Sequence, residues 1–287
     1  MPPPPHRELR KLVRKLGVAA RPTEQKNAVA TLAALCCNPD NQAAIAAAGA
    51  IPELVVLLGP AFQAGMQLDA AKTLINLSVN NDSNKIAIVT AGAVPPLVQL
   101  LGPSSLADVQ VNAAGALMNL AYITDNQIVI AAAGAIPPLV QLLGPRSSAE
   151  VQQMAAGALR NLAVNADNLV TIASAGAIPP LVQLLGPGSS AGAQLAAAGA
   201  LWKRSVNADN QVSIAAAGAI PPLVQLLGVG VVPALKRLLR SSSDADTKVL
   251  ASRALVFLGG INDSSGTPVG TVGANTEVQG AMEALRI

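Results

Sequence analysis

The chain runs to 287 residues, with 19 basic and 16 acidic side chains, a formal charge of +3, 51% apolar residues and 1% aromatics. With so few aromatics and so much alanine, any core must be thin, with helices packed closely through small side chains. The same scarcity argues against a platform that stacks nucleic-acid bases. The mean hydropathy of +0.46 invites a membrane reading. Yet the longest apolar run, Ile128 to Val140, contains Gly134, Pro137 and Pro138 and falls short of the about 20 residues that span a bilayer.

The positive charge is local. Arg7, Arg10, Lys11, Arg14, Lys15, Arg21 and Lys26 outweigh Glu8 and Glu24, so residues 1–26 carry +5 and the remainder −2. Residues 1–5 are a proline run, Met1-Pro2-Pro3-Pro4-Pro5, expected to be disordered. No apolar stretch comes after it, so no secretory leader is expected. From His6 the sequence turns helical, and 6–38 reads as a two-helix cap on the residues from 39 onward. Arg7, Arg10, Lys11, Arg14 and Lys15 give that cap the polar outer face a terminal repeat needs. They also form a basic patch able to meet an anionic membrane or serve as a nuclear-targeting signal. Cys36 and Cys37, the only cysteines, lack metal-ligand spacing. They are expected in or near the core of a protein from a reducing compartment, the cytoplasm or the nucleus.

Residues 39–228 are dominated by repetition. Gly-Ala-Ile/Val-Pro begins at Gly49, Gly92, Gly134, Gly176 and Gly218, in steps of 43, 42, 42 and 42. A period in the low forties predicts a stacked helical solenoid. Each unit reads as three helices. In the copy starting near Asn126, Asp125 or Asn126 is the expected N-cap of the first helix, and Gly134 closes it. Pro137 and Pro138 fall in the first turn of the second helix, where a missing N–H costs little. Leu139, Leu142 and Leu143 make its apolar stripe. The third helix is predicted from about Ala149 to Ala163, with Val151, Ala155, Leu159 and Leu162 on one side. The glycines that end the second helix, Gly17, Gly59, Gly102, Gly144, Gly186 and Gly228, put Leu9–Gly17 in the same register. The aspartates Asp40, Asp82, Asp125, Asp167 and Asp209 recur at one loop position and are expected to cap.

The pattern then breaks. Gly230-Val231-Val232-Pro233 follows Gly218 after 12 residues instead of 42, so 229–259 is expected to be a truncated, irregular repeat. Arg204 stands where Leu120 and Leu162 face the core, a costly place for a charge. Residues 260–287 read as a flexible Gly/Ser-rich tail with a short terminal helix from Glu277.

Nothing here points to catalysis. His6, the only histidine, has no nucleophile beside it. No phosphate loop, metal-binding signature or paired-carboxylate motif occurs. No enzyme activity, small-molecule substrate, cofactor or metal is expected.

The repeated motif, Asp/Asn-Asn followed by Ala-Gly-Ala-Ile-Pro-Pro-Leu-Val-Gln-Leu-Leu-Gly and then Ala-Ala-Gly-Ala-Leu-x-Asn-Leu-Ala, resembles the armadillo repeat over roughly 6–258. Its Gly-Ala-Leu-x-Asn-Leu form is similar to the plant-type and vacuole-associated members, including those joined to U-box ubiquitin ligases. The resemblance implies an all-α, right-handed superhelical solenoid whose third helices line a concave groove. In relatives such as importin-α and β-catenin that groove holds an extended peptide, bound through an asparagine ladder.

The matching column here is Ala34, Asn76, Asn119, Asn161, Lys203 and Phe257. Four residues earlier, where importin-α carries Trp, stand Ala30, Lys72, Gly115, Gly157, Gly199 and Arg253, which argues against nuclear-import cargo. The expected groove residues are therefore Asn76, Asn119 and Asn161, with Lys72, Arg160, Lys203, Trp202 and Arg253 around them. The expected partner is a protein or peptide held as an extended, acidic segment. Alternatives are an adaptor docked on a membrane through the basic N-terminus, or a fragment of a larger U-box-type ligase. Met1-Pro2 offers no myristoylation glycine, and no U-box precedes the repeats.

Overall fold

A computed structural model describes residues 6–204 and, beyond them, Ile214, residues 216–219 and residues 222–223, with the side chains of 202–204 excepted. The proline run, the truncated repeat, the tail and Arg253 lie outside the described residues, as do the side chains of Trp202, Lys203 and Arg204. Two compact units divide the chain, Met1–Gln211 and Val212–Ile287.

Every element among the described residues of the first unit is helical. The helices α1 (His6–Arg14) and α2 (Pro22–Cys36) come first. Four three-helix units come next: α3 (Pro39–Ala47), α4 (Ala50–Leu57) and α5 (Ala64–Ser78); α6 (Asp82–Thr90), α7 (Val94–Leu100) and α8 (Ala107–Leu120); α9 (Thr124–Ala132), α10 (Ile136–Gln141) and α11 (Ala149–Leu162); α12 (Ala166–Ser174), α13 (Ile178–Gln183) and α14 (Ala191–Arg204). The third helices form a continuous row, α2 on α5, α5 on α8, α8 on α11 and α11 on α14.

Glycine sets the corner between the first and second helices. Gly49, Gly92, Gly134 and Gly176 take φ of 86°, 82°, 79° and 75°, a left-handed region that costs a residue with a β-carbon about 1–2 kcal/mol. The Gly134 N–H donates to Ala131 C=O at 2.9 Å and the Ala135 N–H to Ile130 C=O at 3.3 Å, closing the helix with a Schellman pair. In the second unit, Gly218 has φ 78° and the Ala219 N–H reaches Ile214 C=O.

The one 43-residue step also has a local cause. Six residues separate Asn126 from the Leu120 carbonyl it binds, but seven separate Asn84 from Leu77. The extra residue falls in that connection, where Asn80 takes φ 52°, the only positive φ among described non-glycine residues. Asparagine tolerates that region better than most side chains.

The core is as thin as the composition demands. Ala113, Ala114 and Ala116 in α8, and Ala155, Ala156 and Ala158 in α11, are buried where the third helices meet. Leu139, Leu142, Leu143, Val151, Leu159 and Leu162 are buried as expected. Each fully buried leucine contributes about 1.5–3 kcal/mol of apolar transfer.

The expected capping is corrected by the structure. Ile123, not Asp125 or Asn126, is the N-cap of α9. Side-chain caps are Asn38, Asn81 and Asn165 at α3, α6 and α12. Asp40, Asp82, Asp125 and Asp167 lie inside the first turn, where a carboxylate meets the positive end of the helix dipole. Asp209 lies outside the described residues.

The asparagines just after these aspartates reach backwards. Asn41, Asn84, Asn126 and Asn168 are buried, and their Nδ2 groups donate to the carbonyls of Leu35, Leu77, Leu120 and Leu162 at the ends of the preceding third helices. Gln25, Gln67, Gln110, Gln152 and Gln194 do the same for the second helices. Gln152 Nε2 donates to Leu143 C=O at 3.3 Å and Gly144 C=O at 2.9 Å, and the other four repeat this pairing. Carbonyls at two of the three helix ends thus accept amides from the next element, most of them in addition to a turn N–H.

The cysteines divide. Cys36 is buried, and that burial, with Cys37 beside it, raises its thiol pKa to about 12. Cys37 is exposed rather than near-core, because α2 ends at Cys36 and turns it outward.

Candidate functional site

The expected ladder asparagines sit at equivalent positions on α5, α8 and α11, each bonded to a residue of the third helix before it. Asn76 and Asn119 are half-buried, and Asn161 is 8% exposed. Each amide is oriented by the protein. Asn76 Nδ2 donates to Ala33 C=O on α2 at 3.3 Å, and Asn161 Nδ2 donates to Met118 C=O on α8 at 2.9 Å. Asn119 Nδ2 lies 3.4 Å from Ser78 Oγ. These asparagines therefore brace one repeat against the previous one. With the donors held, the Oδ1 atoms of Asn76 and Asn119 accept no hydrogen bond among the described residues, while Asn161 Oδ1 accepts from Arg160 Nε at 3.4 Å.

In the column four residues earlier, three glycines lie where a side chain from the preceding third helix comes close. A β-carbon placed on Gly115 would lie 3.5 Å from Ile75 Cδ1; on Gly157, 2.5 Å from Met118 Sδ; on Gly199, 2.6 Å from Arg160 Cδ. At Gly157 and Gly199 the residue just before a ladder position occupies the space a β-carbon would need, a socket on the next third helix, while Ile75 makes ordinary contact with Gly115. In α5 the register is reversed in volume: the residue before the first ladder position is Ala33, and the socket position holds Lys72, which is exposed. Arg160 lies with its stem on Gly199 and is half-buried. Sequence reasoning placed Lys72 and Arg160 beside the ladder but missed these sockets; the signal was the pairing of small with large residues between neighbouring columns.

The N-terminal cations sit elsewhere. Arg7, Arg10, Lys11, Arg14 and Lys15 are all exposed, while Leu9, Val13 and Leu16 are buried. Helix α1 packs on α2 and α3. Lys11 pairs with Glu8 at 3.1 Å, an exposed contact of little energetic consequence. A cleft of about 460 Å³ opens between the starts of α2 and α5, lined by Lys26, Phe62, Met66 and Asp69 among others. Among the described residues no three His, Cys, Asp or Glu come together to hold a metal, and no helix is long and apolar enough to cross a membrane.

The family model for the armadillo/β-catenin-like repeat matches residues 81–122, 124–164 and 165–203. No curated protein matches the chain. Among solved structures, an engineered protein is 32% identical, with 87% of this chain and 98% of that one covered and a TM-score of 0.69. Computationally designed armadillo repeat proteins for modular peptide recognition are similar at 28% identity, 87% and 99% coverage and a TM-score of 0.69. A designed armadillo repeat protein in complex with the peptide (KR)4 matches with the same four values. The fold is an armadillo-repeat solenoid. The chain belongs to the armadillo-repeat family.

Proposed function

We propose that this chain is a non-enzymatic scaffold that holds an extended, acidic segment of a partner protein along its third-helix face. The observation that carries this reading is the row of amide oxygens at Asn76 and Asn119, aimed by donors already bound to the protein. Such acceptors suit the N–H groups of an extended backbone of any sequence. Lys72 and Arg160 lie beside them and favour acidic side chains. Lys203, Trp202 and Arg253 continue the register on sequence alone. The designed relatives named for peptide recognition support a peptide as occupant. The (KR)4 peptide bound by one of them is basic, and here the cations on the face point to the opposite charge.

The test is a quantitative pull-down comparing wild type with Asn76→Ala/Asn119→Ala. Asn161 is left intact at first, because it is buried and its Oδ1 already accepts from Arg160. Proteins captured by the wild type are expected to be lost by the variant while circular dichroism stays unchanged. Retention of every partner would move the site off the ladder.

A second reading has its own observation, the exposed cations of α1. Its apolar stripe is buried on α2 and α3, so attachment to an anionic membrane would be electrostatic and reversed by salt. Flotation with phosphatidylserine vesicles at low salt is expected to be abolished by Arg10→Glu/Arg14→Glu. No flotation of the wild type removes this reading.

A further inference from the structure

Three residues after each ladder position runs a second column: Cys37, Val79, Tyr122 and Val164. Backbone bonds tie it to the ladder. The Tyr122 N–H donates to Asn119 C=O, and the Val164 N–H to Asn161 C=O, each at 3.3 Å. Both residues therefore follow the amides by one tight turn, just beyond the ends of α8 and α11. Val79, Tyr122 and Val164 are 43%, 61% and 54% exposed. Single exposed apolar residues need no explanation, but a row in register with a polar ladder does.

The tyrosine is also held in place. Lys85 Nζ lies 5.3 Å from its ring centroid, and Lys85 is itself buried and paired to Asp82 at 2.8 Å. A fixed cation on one face pins the ring and leaves the phenol body to solvent. On the other flank of the ladder, one helical turn earlier, Ile75, Met118 and Arg160 lean on Gly115, Gly157 and Gly199, and the charge offered there is the exposed Lys72 and the half-buried Arg160.

An extended chain sends successive side chains to opposite sides. Laid over the ladder, it meets an apolar flank and a cationic flank in turn. We propose that this face selects a segment in which apolar and acidic residues alternate, the apolar ones resting on Val79, Tyr122 and Val164 and the acidic ones on Lys72 and Arg160. This rests on the groove reading above and adds the sequence pattern that the groove accepts.

The experiment uses fluorescein-labelled peptides of about nine residues, enough at ~3.3 Å per residue to cross α5, α8 and α11 if their axes lie about 9 Å apart. One alternates Glu with Val, one Glu with Ser and one Lys with Val. Anisotropy gives their affinities for the wild type and for Val79→Ser/Tyr122→Ser/Val164→Ser, with circular dichroism confirming the fold. Tyr122→Ser alone replaces the triple variant if that one is not helical. The wild type is expected to bind the Glu–Val peptide about tenfold or more tighter than Glu–Ser, with Lys–Val weaker still. The serine variant is expected to bind both acidic peptides alike. Equal wild-type affinity for Glu–Val and Glu–Ser, with both lost in Asn76→Ala/Asn119→Ala, overturns the alternation and leaves the groove reading standing. A serine variant that keeps the Glu–Val preference overturns the role of the stripe. If neither acidic peptide binds the wild type, the groove reading and this inference fall together.

Discussion

Leu159→Ala is expected to destabilise the array by about 2–5 kcal/mol, the largest effect of any single change considered. Leu159 is 0% exposed in α11, and α11 packs on both α8 and α14. Its neighbours along the helix include Ala155, Ala156 and Ala158, also buried. Alanines have no rotamers with which to close a cavity, so the void persists and the cost falls in the upper part of the range. Because each repeat depends on its neighbours, a weakened joint between α8, α11 and α14 lowers cooperativity as well as midpoint. Guanidinium unfolding followed by circular dichroism measures both. A midpoint matching the wild type would mean that the site collapses around the smaller side chain.

The second large effect is expected from Asn168→Ala. This buried amide donates to Leu162 C=O on the preceding third helix and to Gln127 C=O on α9, each at 3.2 Å. Removing it takes two hydrogen bonds out of the joint between repeats, at about 0.5–1.5 kcal/mol each. Asn119→Ala is the matched control. Asn119 is half-buried and its side chain's one hydrogen bond among the described residues is to Ser78 Oγ at 3.4 Å, so its loss should hardly move the unfolding midpoint. The two variants, run side by side in thermal denaturation, separate asparagines that hold the array from those available to a ligand. Equal destabilisation by both would show that the ladder is structural throughout.

Much of the fold was legible because glycine and proline punctuate every copy. The left-handed residue at Gly134 and the prolines opening α10 each have one physical use, so their spacing gave the helices and corners directly. The caps were not legible for a related reason. Asn126 follows a turn and precedes an apolar run, which is the pattern of an N-cap. Its partner is instead the Leu120 carbonyl, six residues back across the bend. A one-dimensional pattern shows that an amide is placed near a helix end, but not which end it serves. The recurrent glutamines, Gln152 and its equivalents, were overlooked because glutamine inside a helix looks like an ordinary exposed residue. Cys37 was misjudged because its position relative to the end of α2 decides its exposure. At the candidate site, the ladder column could be read from register alone. The direction in which each amide is committed could not, since it depends on carbonyls some 43 residues away.

The glycine sockets have a bearing on how such a chain can lengthen. Ile75, Met118 and Arg160 differ in size, shape and charge, yet each is received by nothing more than a bare α-carbon on the following helix. A receptor that makes no demand on its guest works as a universal coupling. A copied repeat that carries the glycine can be inserted after any of these three without a matched change in its neighbour, and its outward side chains are then free to diverge while the joint stays the same.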